Sequence, residues 1–422
     1  MLRQVAALWG CASLCWLTSC VDARVAVKPQ TPLPQSAPAE TPSEAPAQAD
    51  SPSSWTPPAP ATYYADQRDA PQLSSLEQEW FAHAQDAAGR SPCRLDAALV
   101  DAARRHAADL DSGAISKDAD AMDHLRHALH LAGAHDYAVQ PWRIPDAPDG
   151  RDRFQHFVAA HHRAWTHCGI GAPNDASGTV FWLGVHRAID ISPLPTQAPL
   201  GFRTVLQTRA ATSPAQVDAY LEHPSGHIER IAPRATATAF HLSLFFGQTG
   251  RFVFELLADQ GHGMETAVLL PIYVDTPVPT RPTVLPLPGD TAKDTPEDLR
   301  ALINFARQRA QVPPLHADAR LDAIAAAHCR DMAHSGNFGH YSQQTGFLAD
   351  RLKAQRLYPH AFSENVARSS SVFRAHVNLM RSPSHKIRIV NPSDTHVGVG
   401  VLKTDNAVFI TEIFAHWADA HH

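Results

Sequence analysis

Ten prolines fall between residues 28 and 60, set among Ala, Ser, Thr, Gln and Glu with almost no apolar side chains. Such a segment cannot bury enough surface to offset the entropy of folding, and proline keeps it extended. A second cluster, Pro277, Pro279, Pro282, Pro286 and Pro288, precedes the last third of the chain. Folding is thereby confined to what lies between and after the two clusters. The 422 residues leave room for two or three domains with ordinary cores.

The first twenty residues bear on location. Arg3 precedes an apolar run from Val5 to Leu17, which ends in Leu17-Thr18-Ser19-Cys20. The run is too short for a membrane span and reads as a signal peptide over 1–19. Its end resembles a bacterial lipobox, which implies that Cys20 becomes the lipid-modified first residue of the mature chain. Residues 20–70 then serve as a stalk, and the protein is extracellular or in the cell envelope, held to a bacterial membrane. A plain signal peptide cut nearby is the alternative. The formal charge of −6 argues against nucleic acid as a partner.

With Cys11 and Cys15 removed and Cys20 lipidated, Cys93, Cys168 and Cys329 remain. In an oxidising compartment a bridge is expected between Cys93 and Cys168, which fall in one domain. Closing so long a loop adds about 4 kcal/mol in the chain-entropy account. Cys329, between His328 and Arg330 on a helical stretch, is left as a free thiol. No C-x-x-C occurs, so a metal-thiolate site is not expected.

Between the proline clusters two textures follow one another. Over 71–198, Leu95, Leu99, Ala102, Ala103 and His106, then Leu125, Leu129 and Ala132, recur at helical spacing. Over 199–278, Phe252, Phe254 and Leu256 alternate with Val253, Glu255 and Leu257, and a second alternating run covers 235–246. That pattern predicts a small antiparallel β-sandwich of structural or adhesive role. Residues 279–292 form the Pro-rich linker, and 293–422 the last domain.

The last domain carries clear local signals. Thr295-Pro296-Glu297-Asp298 is a helix start, with a capping hydroxyl, proline in the first turn and two acids at the positive end. Further helices are predicted over 319–334, 348–357 and 372–380, with His328 on a buried stripe as a hydrogen-bonded core residue. Val397, Val399 and Val401 then alternate with glycines that permit close approach between layers, and 407–414 supplies a partner strand. An α-β-α sandwich follows, making the whole chain α+β.

Part of this pattern occurs twice. Thr166-His167-Cys168-Gly169-Ile170-Gly171 mirrors Thr395-His396-Val397-Gly398-Val399-Gly400, and His156 and His385 stand ten residues before the two threonines. Leu99 to Gly113, with His106, Asp109 and Leu110, matches Leu321 to Gly336, with His328, Asp331 and Met332, given a one-residue gap. Three coincidences in one order predict that the segment from 73 to 195 is a diverged copy of the last domain. It lacks a counterpart of His340 and of the pair Glu364-Asn365, and reads as a scaffold.

The motifs of the last domain run in a distinctive order. They are Phe338-Gly339-His340, Ser363-Glu364-Asn365-Val366-Ala367, Ser382-Pro383-Ser384-His385-Lys386, Asn391-Pro392 and Thr395 to Gly400. This order resembles the CAP superfamily, named for cysteine-rich secretory proteins, antigen 5 and pathogenesis-related 1, in its bacterial SCP-like extracellular form. The resemblance agrees with the sandwich fold and makes residues 71–198 a degenerate CAP-like domain.

It also implies that His340, Glu364 and His385 line one cleft, although 24 and 21 residues separate them in sequence. A fourth, acidic position has no match at Leu379-Met380-Arg381-Ser382. Two imidazoles and a carboxylate can hold zinc or another divalent metal with an open position, act as an acid/base pair, or form a hydrogen-bonded cleft. G-x-S-x-G, H-E-x-x-H and phosphate-loop signatures are absent. The missing acid favours binding of an extracellular ligand or envelope component (lipid, wall component or protein). A metal-dependent extracellular hydrolase and a structural envelope protein with a vestigial site are the alternatives.

Overall fold

The computed structural model describes residues 20–21, 62–63, 71–115, 121–173, 178–210, 216–236, 239–259, 264–283 and 293–417. The expected signal peptide, most of the stalk, the linker from 284 onward and the terminal His421 and His422 lie outside the described residues.

Among its described residues the first unit holds four α-helices: α1 (Ser75–Ala88), α2 (Ala97–Asp111), α3 (Ala121–Ala132) and α4 (Gly150–His161). Helix α1 starts in a capping box between Ser74 and Glu77, and α2 is capped by the Asp96 carboxylate. Its sheet runs in the order Arg94–Leu95, His167–Gly171, Phe181–Val185, Val139–Arg143. The first pair is parallel and the others antiparallel. Cys93 and Cys168 are bridged with Cα atoms 5.8 Å apart. The bridge lies in a core with Phe154, Trp165 and Trp182.

The middle unit consists of two antiparallel sheets around one core. One sheet runs Ile228–Ile231, Val217–Glu222, Gly250–Asp259, Met264–Val274, and the other Arg234–Ala235, Ala239–Phe246, Phe202–Ala210, Ile189–Ile191. Leu242, Leu244 and Phe246 from one sheet meet Phe252, Phe254 and Leu256 from the other. This unit reaches beyond the 199–278 read from sequence. Ile189 and Ile191 join its core, as does Tyr63, whose hydroxyl donates to the Pro271 carbonyl at 2.7 Å. Thr62–Tyr63, within the span read as a stalk, pairs with Leu194–Pro195. The Gly250–Asp259 strand buries both faces, because its second face meets the C-terminal domain and Leu257 packs with Ile387.

In that domain α5 (Pro296–Arg309) starts in a capping box of Thr295 with Asp298. Helix α6 (Ala319–Ser335) runs from an Asp318 cap to Gly336 at φ 68°. Helices α7 (Leu348–Ala354), α8 (Val372–Arg381) and α9 (Pro383–Ile389) follow. The sheet order is His316–Ala317, His396–Lys403, Val408–His416, Ala361–Ser369, again with one parallel and two antiparallel pairs. Leu321 and Ile324 of α6 pack with Ile413 and Ala415, while Leu299 and Ile303 of α5 and Leu379 of α8 pack with Val399, Ile410 and Phe414. Cys20–Val21 pairs by its main chain with Met264–Val274 and, at Asn365, with Ala361–Ser369, joining the two sheets.

Helix α6 lies so close to the strand beneath it that only glycine fits. A Cβ on Gly398 would stand 2.2 Å from Leu321 Cβ, and one on Gly400 2.4 Å from the Ala325 main chain. Gly398→Ala should therefore destabilise the chain by about 1–3 kcal/mol in denaturant unfolding, since the helix must shift. Replacing Cys93 and Cys168 together by alanine should cost about 4 kcal/mol in the same assay under oxidising conditions. Equal midpoints before and after reduction of the native protein would contradict this.

Candidate functional site

The stretch after α6 is tied down from three directions. His328, buried in α6, donates from Nε2 to the Gly339 carbonyl at 2.9 Å. Burial pushes the His328 imidazole down, opposed by the nearby Glu364 carboxylate. Arg351 of α7 donates to the carbonyls of His340 at 3.1 Å and Gly346 at 3.0 Å. Its other terminal nitrogen reaches Glu364 Oε1 at 2.5 Å. The second Glu364 oxygen accepts from His340 Nδ1 at 2.9 Å.

Glu364 is 1% exposed and His340 6%. Burial alone would raise the Glu364 carboxyl. The Arg351 guanidinium, the His340 hydrogen bond and His328 outweigh it and hold the group at about 2.

Adjacent residues on a strand point to opposite faces, and here they build two separate clusters. Glu364 stands opposite Ile413, on the α6 side, whereas Asn365 stands opposite Glu412. Asn365 Nδ2 donates to Glu412 Oε2 at 3.0 Å and to the His385 carbonyl at 3.3 Å. Glu412 Oε1 lies 3.5 Å from His376 Nδ1 of α8, and both side chains are fully buried. His385, also fully buried, places Nδ1 2.5 Å from Ser382 Oγ and 3.3 Å from Ser384 Oγ.

The expected three-ligand metal site is not formed in this arrangement. His340 and Glu364 come together, with the glutamate's oxygens taken by His340 and Arg351, while His385 is held at the start of α9. Among the described residues no group of three or more His, Cys, Asp or Glu side chains is placed to hold a metal ion.

Several site residues escaped the sequence reading. Arg351 had a signal: it falls on the apolar stripe of Leu348 and Leu352, where a charge needs a buried partner. Glu255, a carboxylate inside the otherwise apolar run from Phe252 to Ala258, had the same kind of signal. It accepts from Ser382 Oγ and from Ser384 N, each at 2.7 Å. His376 and Glu412 had none, since nothing local pairs them.

Residues 300–415 match the model of the Cysteine-rich secretory protein family, CAP. This segment is a CAP domain. Over 104 residues the chain is 32% identical to the uncharacterized protein YkwD of Bacillus subtilis (strain 168), covering 24% of this chain. The match spans 40% of that relative's length. Two solved structures are similar: an SCP-domain extracellular protein of Bacillus anthracis str. Ames and an outer surface protein of Borrelia burgdorferi. The first has 19% identity over 50% of this chain and 77% of its own, with a TM-score of 0.27. The second has 22% over 31% and 96%, with a TM-score of 0.28. No helix among the described residues is long and apolar enough to cross a membrane.

A carboxyl held at about 2 stabilises the fold fully above its unfolded value near 4.5, and the contribution fades as pH falls towards 2. The shift corresponds to about 3 kcal/mol. Glu364→Gln, which leaves Arg351 buried without its counter-charge, should cost about 3–5 kcal/mol near neutrality. The gap between variant and wild type should close on acidification in denaturant titrations. A gap that persists unchanged at low pH would sink the assignment.

Proposed function

We propose that the CAP domain is a non-enzymatic binding module of a secreted, lipid-anchored envelope protein, and that its ligand is a cell-wall polymer. Glu364 carries this reading. A carboxylate engaged by Arg351 and His340 and held at about 2 is a weak proton acceptor near neutrality, and general-base chemistry favours a group titrating near the working pH. The same engagement leaves it poorly placed as a metal ligand, which weighs against a metal-dependent hydrolase. Beside His340, the rings of Tyr341 and Phe347 are 44% and 40% exposed, with centroids 5.0 Å apart. An exposed aromatic pair at the end of a rigid polar cluster suits contact with an extended ligand.

In this reading Cys20 bears the lipid and, because Cys20–Val21 pairs with both sheets, the anchor sits against the folded part. Residues 71–198 are a diverged, degenerate CAP-like copy acting as a scaffold, and the middle unit is a β-sandwich. Several features support the copy. The two four-stranded sheets share strand order and directions. Aspartates cap both α2 and α6, and His106 and His328 are buried at matching places. Thr166 and Thr395 hydroxyls stand 3.0 and 2.9 Å from the Nδ1 of His167 and His396. Gly169 and Gly171 crowd α2 as Gly398 and Gly400 crowd α6.

Co-sedimentation of the purified chain with bacterial wall sacculi, and in parallel with anionic liposomes, tests the reading. The wild type should pellet with sacculi, and a Tyr341→Ala/Phe347→Ala variant, altered only at exposed positions, should bind at least about tenfold more weakly. Equal binding by both forms, or no binding by either, would point to the vestigial-site alternative. Pelleting with liposomes alone would replace the polymer by lipid.

A further inference from the structure

The carboxylate of Glu255 does not belong to the CAP domain, yet it is hydrogen-bonded to that domain's polar core. It is fully buried and accepts from Thr266 Oγ1 at 2.9 Å in its own unit, from Ser382 Oγ and Ser384 N, each at 2.7 Å, at the start of α9, and from the Ser384 hydroxyl. Ser382 Oγ is in turn 2.5 Å from His385 Nδ1. We infer that Glu255 is the positioning group for His385: through Ser382 it sets which imidazole nitrogen carries the proton.

The inference is a matter of counting protons. An ionised carboxylate only accepts, so the Ser382 hydroxyl must spend its single hydrogen on Glu255. Towards His385 the same oxygen can then only accept, and Nδ1 must be the N–H. Neutral His385 is thus the Nδ1–H tautomer, and Nε2 carries the lone pair. Without an acceptor at residue 255, Ser382 is released to donate to Nδ1, and the proton moves to Nε2. One side chain of the middle unit therefore decides which nitrogen of the CAP histidine is basic.

The contact is part of a built interface. Lys386 pairs with Glu222, and Ile387 packs with Tyr220, Ile228, Leu257 and Met264. These contacts seat α9 on the middle unit without help from Glu255, so an isosteric change there leaves the docking in place. Burial raises the Glu255 carboxyl, so the measurement is made as a pH series carried into the alkaline range, towards the ionised form to which the proton count applies. This assignment does not depend on the binding reading above.

The test is histidine ¹⁵N NMR on the intact chain, with His385 assigned by difference against His385→Gln. The wild type should show His385 predominantly as the Nδ1–H tautomer. Glu255→Met, of similar size but without an oxygen acceptor, and Ser382→Ala should each shift it predominantly to Nε2–H, with an unchanged small-angle scattering profile. Should Glu255→Met expand the profile by undocking the units, Ser382→Ala, which leaves the middle unit unaltered, decides. Nε2–H in the wild type, or Nδ1–H retained in Ser382→Ala, overturns the inference.

Discussion

The CAP domain depends on one buried ion cluster. Glu364 lies inside the protein, where an unpaired carboxylate would be strongly disfavoured, and it remains charged because Arg351 and His340 face its two oxygens. Its partners are fixed in turn. Arg351 holds the carbonyls of His340 and Gly346, and His328 holds the carbonyl of Gly339. The loop after α6, the helix α7 and the strand Ala361–Ser369 are thus tied at one point. That clamp ties down the loop that carries Tyr341 and Phe347, and it engages both Glu364 oxygens.

On the other face of that strand the contacts run between units, and the charges are segregated. The acceptors Asp123, Glu222 and Glu255 come from the first and middle units, and the donors Arg374, Arg381, Lys386, Ser382 and Ser384 from α8 and α9. Arg126 of α3 adds a bond to the Asn378 amide oxygen at 3.2 Å. Partly exposed pairs of this kind contribute little stability individually, but they fix orientation. The apolar packing of Ile387 and Leu257 supplies the attraction, and the charges set the register. The α8–α9 face is therefore an internal interface.

Much of the domain was legible because its signals are local. Thr295 to Asp298 forms its capping box from residues within a single turn. Val397, Gly398, Val399 and Gly400 form a strand whose glycines admit the helix above, as their alternation suggests. Cys93 and Cys168 bridge, leaving Cys329 buried and reduced, its thiol pushed up to about 12 by burial. The strand Ala361–Ser369 was harder to see, because Ser363, Glu364 and Asn365 interrupt any apolar period. Helix α9 was missed too, since its seven residues are too few to establish one.

What the sequence determined by itself was therefore the locally signalled elements and the identity of the chemical groups. Caps, periodicity and cysteine count act over a few residues, and the order of motifs marked a CAP domain. Only the tertiary structure decided which groups meet. His340 and Glu364 join Arg351 on one face of a strand, while His385 goes with Ser382 and, from another unit, Glu255. The physical reason is that a buried charge or donor takes whatever partner the packed layers deliver. Apart from Ser382, three residues from His385, those partners lie 13 to 129 residues away, beyond the reach of any local rule.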